Sequence, residues 1–134
     1  MPDFSFDPAL PASAAQDGFV QTITLRQGEQ TLGFARWHAP CDTAQGVIQL
    51  LDLFIHPPHR RSGHGGRLLR AVIEQVTRHQ RLRKHPLRRI WVSVEQKAQV
   101  NARAFLTQHG FHHTATIADL LKAQDALVYV RSFD

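Results

Sequence analysis

Residues 51–69 read LDLFIHPPHRRSGHGGRLL: an apolar strand, then a basic turn with three glycines, then the start of a helix. The first N–H groups of a helix have no partner inside it and carry the positive end of its dipole. Glycine adopts positive φ and lets a ligand approach the main chain, so this turn is typical of a phosphate-binding loop. Arg60 and Arg61 add positive charge, and a pyrophosphate is the expected ligand.

Two common phosphate-loop patterns do not fit this turn. No Lys-Ser/Thr pair follows the glycines, which excludes the phosphate loop of ATPases. Residue 68 is leucine, which excludes the dinucleotide fingerprint G-x-G-x-x-G. The pattern that fits is R-x-x-G-x-G, at Arg60, Gly63 and Gly65, after a strand that ends in DLFIHP.

The pattern before the turn predicts three strands. Residues 19–25 alternate in polarity, a short turn follows around Gly28, and residues 31–38 return as the second strand of a hairpin. Residues 46–56 are nearly all apolar, which predicts a central strand buried on both faces, and Pro57-Pro58 ends it. Residues 68–76 then follow the helical period.

The pattern after that helix predicts a strand at residues 88–94, a helix at 98–109 that ends at Gly110, and strands at 111–117 and 126–132. A loop around residues 119–125 joins the last two strands. The predicted order is β-β-β-α-β-α-β-β, which indicates one α/β (α+β) domain over residues 19–134 with a mixed central sheet and helices. Residues 1–18, with three prolines, are predicted to be an irregular N-terminal arm.

Composition limits the class of protein. The chain has 134 residues, about one domain, and is 43% apolar. No apolar run approaches the ~20 residues of a membrane helix, and the first ten residues show no secretory signal. A single cysteine, Cys41, excludes an internal disulfide. We therefore expect a soluble protein in the cytoplasm, with no membrane partner.

Positive charge is concentrated in one segment. Residues 56–89 contain ten Lys/Arg and one acid, Glu74, which gives +9 against −4 for the remainder and +5 for the chain. Such a block suggests a phosphate-bearing partner, either a phosphorylated cofactor or a nucleic acid. A nucleic-acid-binding basic module is the alternative function. Nucleic acid is nevertheless not the partner that we expect, because residues 78–89 carry no interleaved aromatic side chains for base stacking.

Residues 51–69 closely resemble the acetyl-CoA-binding motif of the GNAT N-acetyltransferase superfamily. Residues 102–111, ARAFLTQHGF, resemble the next motif of that family, a helix that ends in a Gly-Phe step, and residues 125–130 resemble its closing strand. The resemblance implies a GNAT-like acyl-CoA acyltransferase fold. It also implies a shortened N-terminal region, because relatives usually place a strand and two helices before the hairpin.

The resemblance implies an acetyl-CoA-dependent N-acetyltransferase, in which an amine attacks the thioester directly. The cofactor pyrophosphate would bind the turn, and the pantetheine arm would pair with the main chain of Phe54 to His56, on a strand that usually carries a bulge. A main-chain N–H near Phe54 or Ile55 would stabilise the oxyanion. The implied cofactor-binding residues are Phe54, Ile55, His56, Arg60, Arg61, Ser62, Gly63, His64, Gly65, Gly66, Asn101 and Phe105.

The catalytic groups depart from the family pattern. Leu106 stands where the family often has a tyrosine that protonates the leaving thiolate, and Gln49 or Leu51 stands where many members have a glutamate. Asp52 is the candidate general base, because it is a carboxylate inside an apolar strand, where poor solvation favours a catalytic role. Simple alternation along the strand places Asp52 and Gln49 on opposite faces. The alternatives are a structural Asp52 bonded to main chain or arginine, a base at His38 or His56, or a base acting through water. A catalytically inactive acyl-CoA-binding domain is a further alternative.

The remaining expectations concern metal, assembly and acceptor. We expect no metal, because His56, His59 and His64 lie on a loop without cysteine or carboxylate at ligand spacing. A short N-terminal region and apolar strands that need cover predict a homodimer with acceptor sites near its interface. The sequence does not decide the identity of the acceptor amine, which could be a small amine, an antibiotic, a peptide N-terminus or a lysine.

Overall fold

The computed structural model describes residues 4–8, 18–95, 100–122 and 124–133, except for the side chains of residues 7, 8, 100 and 101. The chain divides into two compact units, Met1–Leu87 and Arg88–Asp134. The first unit carries the basic turn, and the second carries the helix with the Gly-Phe step.

The described part of the first unit contains four antiparallel strands and one long helix. The strands are β1 (Phe4–Pro8), β2 (Phe19–Gln27), β3 (Gln30–Ala39) and β4 (Val47–Ile55), and each pairs with the next. A 3-10 turn at Pro57–His59 follows β4, and helix α1 spans His64–Leu82. Arginine and glutamine favour helix, so α1 continues beyond Val76, the last apolar residue of the predicted helical period.

The prediction of an irregular arm is wrong for residues 4–8, which form β1. Phe6 lies opposite Leu25 of β2 in antiparallel register. Phe4 and Phe6 alternate with Ser5 and Asp7, which is the period of a strand, but five residues are too few for that pattern to be distinctive. Residues 1–3 and 9–17 of the predicted arm lie outside the described residues.

The core of the first unit lies between α1 and one face of β2, β3 and β4. The predicted apolar faces of β2 and α1 are confirmed. The prediction that β4 is buried on both faces is wrong, because Val47, Gln49 and Asp52 are half-buried and Phe54 is exposed. Each large apolar side chain that is buried contributes about 1.5–3 kcal/mol. The buried side chains include Ile23, Leu25, Ala35, Trp37, Ile48, Leu50, Leu68, Leu69, Val72 and Val76.

A β-bulge interrupts β4 at Leu51. Arg36 pairs with Asp52 whereas the next residue, Trp37, pairs with Leu50, so Leu51 has no opposite residue on β3. One extra residue reverses the alternation of faces beyond it. Leu50 before the bulge and Leu53 after it therefore both lie on the sheet face that packs against α1, and Asp52 lies on the opposite face. The bulge implied by the family resemblance is confirmed.

Hydrogen bonds connect the last turn of α1 to the loop between β3 and β4. Gln80 is buried, and its Nε2 donates to the main-chain carbonyls of Thr43 (3.0 Å) and His85 (3.1 Å). The His85 Nδ1 and the Thr43 hydroxyl lie 2.8 Å apart, within hydrogen-bond distance. These contacts hold the start of β4 against the end of α1.

His79 is a buried histidine among aromatic rings. Its ring stacks on Phe19 at 5.0 Å and meets Trp37 edge-on at 5.2 Å. Its Nε2 is buried without a hydrogen-bond partner among the described residues. Burial, and then the nearby charge of Arg83, lowers the pKa of His79 to about 4. His79 is therefore neutral in the folded protein at neutral pH.

We expect the free energy of unfolding to fall as pH drops from 6.5 to about 4. The ordinary histidine pKa is 6.5, so over this interval the unfolded chain binds a proton that folded His79 does not. The stabilisation is complete above pH 6.5, and about 3 kcal/mol of it is lost by pH 4. Urea unfolding between pH 4 and pH 7.5 measures this dependence. His79→Phe, which keeps a ring at this position, should reduce the pH dependence of the free energy of unfolding, whereas the exposed control His112→Gln should not. An unchanged pH dependence in His79→Phe would contradict the assignment to His79.

The described part of the second unit contains three antiparallel strands and one helix. The elements are β5 (Arg89–Glu95), α2 (Val100–Gln108), β6 (His112–Leu121) and β7 (Gln124–Ser132), with β7 between β5 and β6. Gly110 has φ 87°, and the N–H of buried Phe111 donates to the Leu106 carbonyl at 2.9 Å. The predicted glycine end of this helix is confirmed.

The last two strands are longer than predicted, because residues expected in a loop continue the ladder. Leu121 pairs with Gln124, and the Asp119 N–H donates to Asp125 Oδ1 at 2.9 Å. Residues 112–120 of β6 are all exposed, and Ile117 and Leu120 are 43% and 56% exposed. From β2 onward the predicted order of elements is confirmed. Within the described ranges, no helix combines the length and the apolarity that a membrane span requires.

Candidate functional site

The turn between β4 and α1 has a defined main-chain path. The N–H groups of His59 and Arg60 donate to the carbonyls of His56 and Pro57 at 2.9 and 3.2 Å. Arg61, at φ 65°, and Gly63, at φ 78°, are in the left-handed region. The chain thereby turns so that α1 begins directly after Gly63. Residues 60–63 are exposed to solvent.

The start of α1 concentrates positive potential. The N–H of Arg67 donates to the Gly63 carbonyl at 3.2 Å and closes the first helical turn. The N–H groups of the three residues between them therefore point out of the helix end. In this turn, all of which the structure describes, no residue is acidic. The arrangement suits a phosphate group, and phosphate binding at this turn stays a prediction.

The glycines of this segment serve different purposes. Gly63 lies in the left-handed region, which disfavours residues with a side chain. Gly65 and Gly66 lie inside α1, where any residue can adopt the main-chain conformation. Gly66 is buried, whereas Gly65 is half-buried. Gly65 therefore adds no side chain beside the first-turn amides, and a role in ligand approach stays a prediction.

Arg60 does not point freely into solvent. Its Nε donates to the Ile55 carbonyl at 2.9 Å, and its guanidinium carbon lies 5.5 Å from the centre of the Phe54 ring. Arg61 and Ser62, the other predicted phosphate contacts before Gly63, are exposed. The structure therefore brings the predicted loop residues from Arg60 to Gly66 together at the end of β4.

The main chain at the end of β4 is only partly available for an added strand. The His56 N–H donates to the Leu32 carbonyl at 2.8 Å, so it faces β3. Successive residues of a strand direct their main-chain groups to opposite sides. Phe54 therefore also faces β3, and Ile55 faces away, as the bond from Arg60 to its carbonyl shows. The predicted main-chain pairing is wrong for Phe54 and His56 and stays possible at Ile55.

Asp52 is in an environment different from the predicted one. The bulge places it on the same face as Gln49, so the expectation of opposite faces is wrong. Its side chain is 40% exposed and is ion-paired with Arg36, whose Nε donates to Asp52 Oδ2 at 2.7 Å. The expected poorly solvated site is therefore absent at Asp52. The arginine partner agrees with the structural alternative, and the role of Asp52 as a base stays a prediction.

The second unit holds the remaining candidates. Asn101 lies in the first turn of α2, and its side chain lies outside the described residues. Phe105, on the same helix, is half-buried, with its ring 4.4 Å from that of His109. Leu106 is buried in the core and offers no proton. Tyr129 of β7, the only tyrosine in the sequence and so its only phenol that could donate a proton, is buried beside His113, with the rings 5.5 Å apart.

The histidines around the turn make separate contacts. The Nε2 of His59 lies 3.1 Å from Gln30 Nε2, and His64 Nδ1 lies 3.3 Å from an Arg67 nitrogen. The His56 ring meets Phe54 edge-on at 5.2 Å. Among the residues that the structure describes, no group of three or more His, Cys, Asp and Glu side chains could hold a metal ion.

The sequence did not point to three residues near the candidate site: Arg36, Arg67 and Phe4. Arg36 is found only once the register of β3 against β4 is known, since it lies 16 residues before Asp52. Arg67 carries a clearer signal, because it follows His64 by three residues and such pairs meet on a helix. The Phe4 ring, whose centre lies 4.2 Å from the Arg67 guanidinium carbon, has no such signal, because its position depends on the pairing of β1 with β2.

Comparisons with known proteins identify the family of the chain. A family model described as an acetyltransferase (GNAT) domain matches residues 19–113, more than half of the chain. The mycothiol acetyltransferase of Kineococcus radiotolerans is 39% identical over 62 residues, which are 46% of this chain and 20% of that protein. The chain thus spans about a fifth of the length of this curated relative.

Solved structures share the fold. An acetyltransferase of the GNAT family from Desulfovibrio desulfuricans has a TM-score of 0.72 at 21% identity, covering 86% of this chain and 69% of that one. Arabidopsis thaliana Naa50, solved with the bisubstrate analogue CoA-Ac-MVNAL, has a TM-score of 0.68 at 22% identity, covering 84% and 72%. At these identities the two structures show the fold alone, and the predicted fold class is confirmed. Taken with the family match, this establishes that the chain belongs to the GNAT acetyltransferase family.

Proposed function

We propose that the protein is an acetyl-CoA-dependent N-acetyltransferase that transfers the acetyl group directly to an amine. The observation that carries this proposal is the turn from Arg60 to Gly66, where a left-handed Gly63 leads into a helix start with open amides and no acid. Membership of the acetyltransferase family supports the reaction class. The acetyl group and the phosphates would both come from acetyl-CoA, so one ligand explains the site.

The residues of the first unit have distinct roles in this reaction. The amides of His64 to Gly66 and the charges of Arg60 and Arg61 bind the pyrophosphate. Ile55 offers the main-chain groups that face away from β3, and the pantetheine arm pairs there once the Arg60 side chain releases the Ile55 carbonyl. A main-chain N–H at this position stabilises the oxyanion, which is worth about 3 kcal/mol for one well-placed donor.

Proton transfer completes the reaction. The amine nitrogen forms a bond to the acetyl carbon, the carbon–sulfur bond breaks, and the nitrogen loses a proton. We propose that Asp52 accepts this proton, with Arg36 holding its carboxylate in place. Leu106 cannot protonate the thiolate, but a thiol with a pKa of about 8.5 is a fair leaving group near neutral pH, and water can supply the proton.

Ligand-dependent melting tests this proposal. Acetyl-CoA and CoA should both raise the melting temperature, because they bind the native state alone, whereas pantetheine, which lacks phosphates, should raise it much less. Equal shifts by CoA and pantetheine would overturn the role of the turn. Release of free thiol from acetyl-CoA across a panel of small amines, peptide N-termini and lysines then identifies the acceptor. Binding of CoA without thiol release on any amine would favour an inactive acyl-CoA-binding domain.

Assembly and location complete the proposal. We propose a cytoplasmic homodimer, and the exposed β6 strand supports the contact between subunits. Ile117 and Leu120 on this strand expose apolar surface of the kind that commonly marks a subunit interface. A twofold dimer is the commonest way to cover such a surface.

A further inference from the structure

Three side chains meet at the start of α1, and one of them comes from β1. The Arg67 guanidinium carbon lies 4.2 Å from the centre of the Phe4 ring. The Phe4 and His64 rings are 5.4 Å apart, and an Arg67 guanidinium nitrogen lies 3.3 Å from His64 Nδ1. Because His64 is the first residue of α1, the Arg67 side chain is folded back towards the open end of the helix.

This position is electrostatically unfavourable for a cation. A helix N-terminus carries partial positive charge, so arginine is stabilised at the opposite end. Arg60 and Arg61 lie just before the same end, and no acid in the first turn compensates them. Conflicts of this kind are expected at functional sites, where a ligand supplies the missing partner. An anion bound at the helix start would reverse the sign of the interaction with Arg67.

Phe4 and His64 explain how Arg67 stays there without the anion. The face of an aromatic ring attracts a cation, and the Phe4 ring lies within the ~6 Å over which this attraction acts. Burial, followed by the charges of Arg67 and His59, lowers the pKa of His64, so its ring is neutral near pH 7. A neutral ring can accept a hydrogen bond from Arg67 through Nδ1.

We propose that β1 is part of the cofactor site: Phe4, together with His64, positions the Arg67 guanidinium at the start of α1, where Arg67 binds a phosphate of the cofactor. This inference rests on the proposed function. Phe4 is a positioning residue, and it acts only through Arg67.

The Kd for CoA, measured by isothermal titration calorimetry, tests this proposal. Arg67→Gln and Phe4→Leu should each raise the Kd, by roughly tenfold, since leucine keeps the apolar volume at position 4 but removes the aromatic face. The double variant should bind no more weakly than Arg67→Gln alone, because Phe4 has no effect once the guanidinium is gone. Phe4→Tyr keeps a ring and should restore the wild-type Kd.

Phe6→Leu is the matched control. It makes the same replacement two residues along β1, on a residue opposite Leu25, and should leave the Kd within about twofold of wild type. The positioning role would be overturned if Phe4→Leu bound CoA as tightly as Phe6→Leu does. It would also be overturned if the increases in Kd caused by Phe4→Leu and Arg67→Gln multiplied in the double variant. Either result would leave the proposed function intact. A wild-type protein that does not bind CoA would instead overturn the proposed function.

Discussion

Replacement of Gly65 by valine is expected to raise the Kd for CoA at least about 100-fold, a loss of about 2.7 kcal/mol of binding free energy. Gly65 lies in the first turn of α1 and is half-buried beside the open amides. A branched side chain there would occupy the space that a phosphate needs in order to reach those amides. Loss of several charge-assisted hydrogen bonds at once accounts for the size of the effect.

The folded state should survive this change, which makes the result interpretable. Glycine disfavours helix by about 1 kcal/mol relative to alanine, and valine disfavours it less than glycine, so the melting temperature without ligand should be unchanged or slightly raised. Gly65→Ala should give an intermediate Kd. Glu74→Val introduces the same side chain on the exposed face of α1 and should bind CoA normally. Wild-type affinity in Gly65→Val would show that Gly65 is not needed for close approach.

Replacement of Asp52 by asparagine is expected to lower kcat/KM about 100-fold, the usual contribution of a general base. The amide cannot accept the proton of the attacking amine, so the reaction loses its proposed base. The measurement is thiol release from acetyl-CoA, with the acceptor that the amine panel identifies.

Arg36→Gln is the matched variant for Asp52. It breaks the same ion pair from the other side and leaves the carboxylate in place. Because both side chains are at least 40% exposed, the pair contributes at most about 1 kcal/mol to folding, and neither variant should melt much earlier than wild type. Arg36→Gln should lower kcat/KM far less than Asp52→Asn. Equal small losses of kcat/KM in the two variants would mean that the pair is structural and that a histidine or water accepts the proton.

The turn and the elements on either side of it could be predicted because their signals are local. Helical periodicity, the two prolines after β4 and Gly63 before α1 act over a few residues, and the element boundaries that they indicate agree with the structure. Gly110 is a similar case, since a helix end is set by the conformation of one residue. The left-handed Arg61 could not be predicted, because nothing in its side chain favours positive φ.

The surroundings of Asp52 could not be predicted because they depend on contacts between distant parts of the chain. The alternation rule holds only while a strand has no extra residue, and nothing in the sequence VIQLLDLFI marks Leu51 as the bulge. Arg36 becomes the partner of Asp52 only through the register that this bulge creates. In the same way, β1 is a strand because β2 offers it an edge, so its five residues could not reveal it alone.

The bulge at Leu51 also makes β4 tolerant of one deletion that its composition hides. Loss of Leu51 would place Asp52 directly after Leu50, and the pairs that these two residues make with β3 could stay as they are. Leu53 and Ile55 would keep the face towards α1, and Asp52 and Phe54 would keep the opposite face. In evolutionary terms, Leu51 is an insertion that the strand absorbs at one position, so its loss would change the local shape of β4 and leave its two faces unchanged.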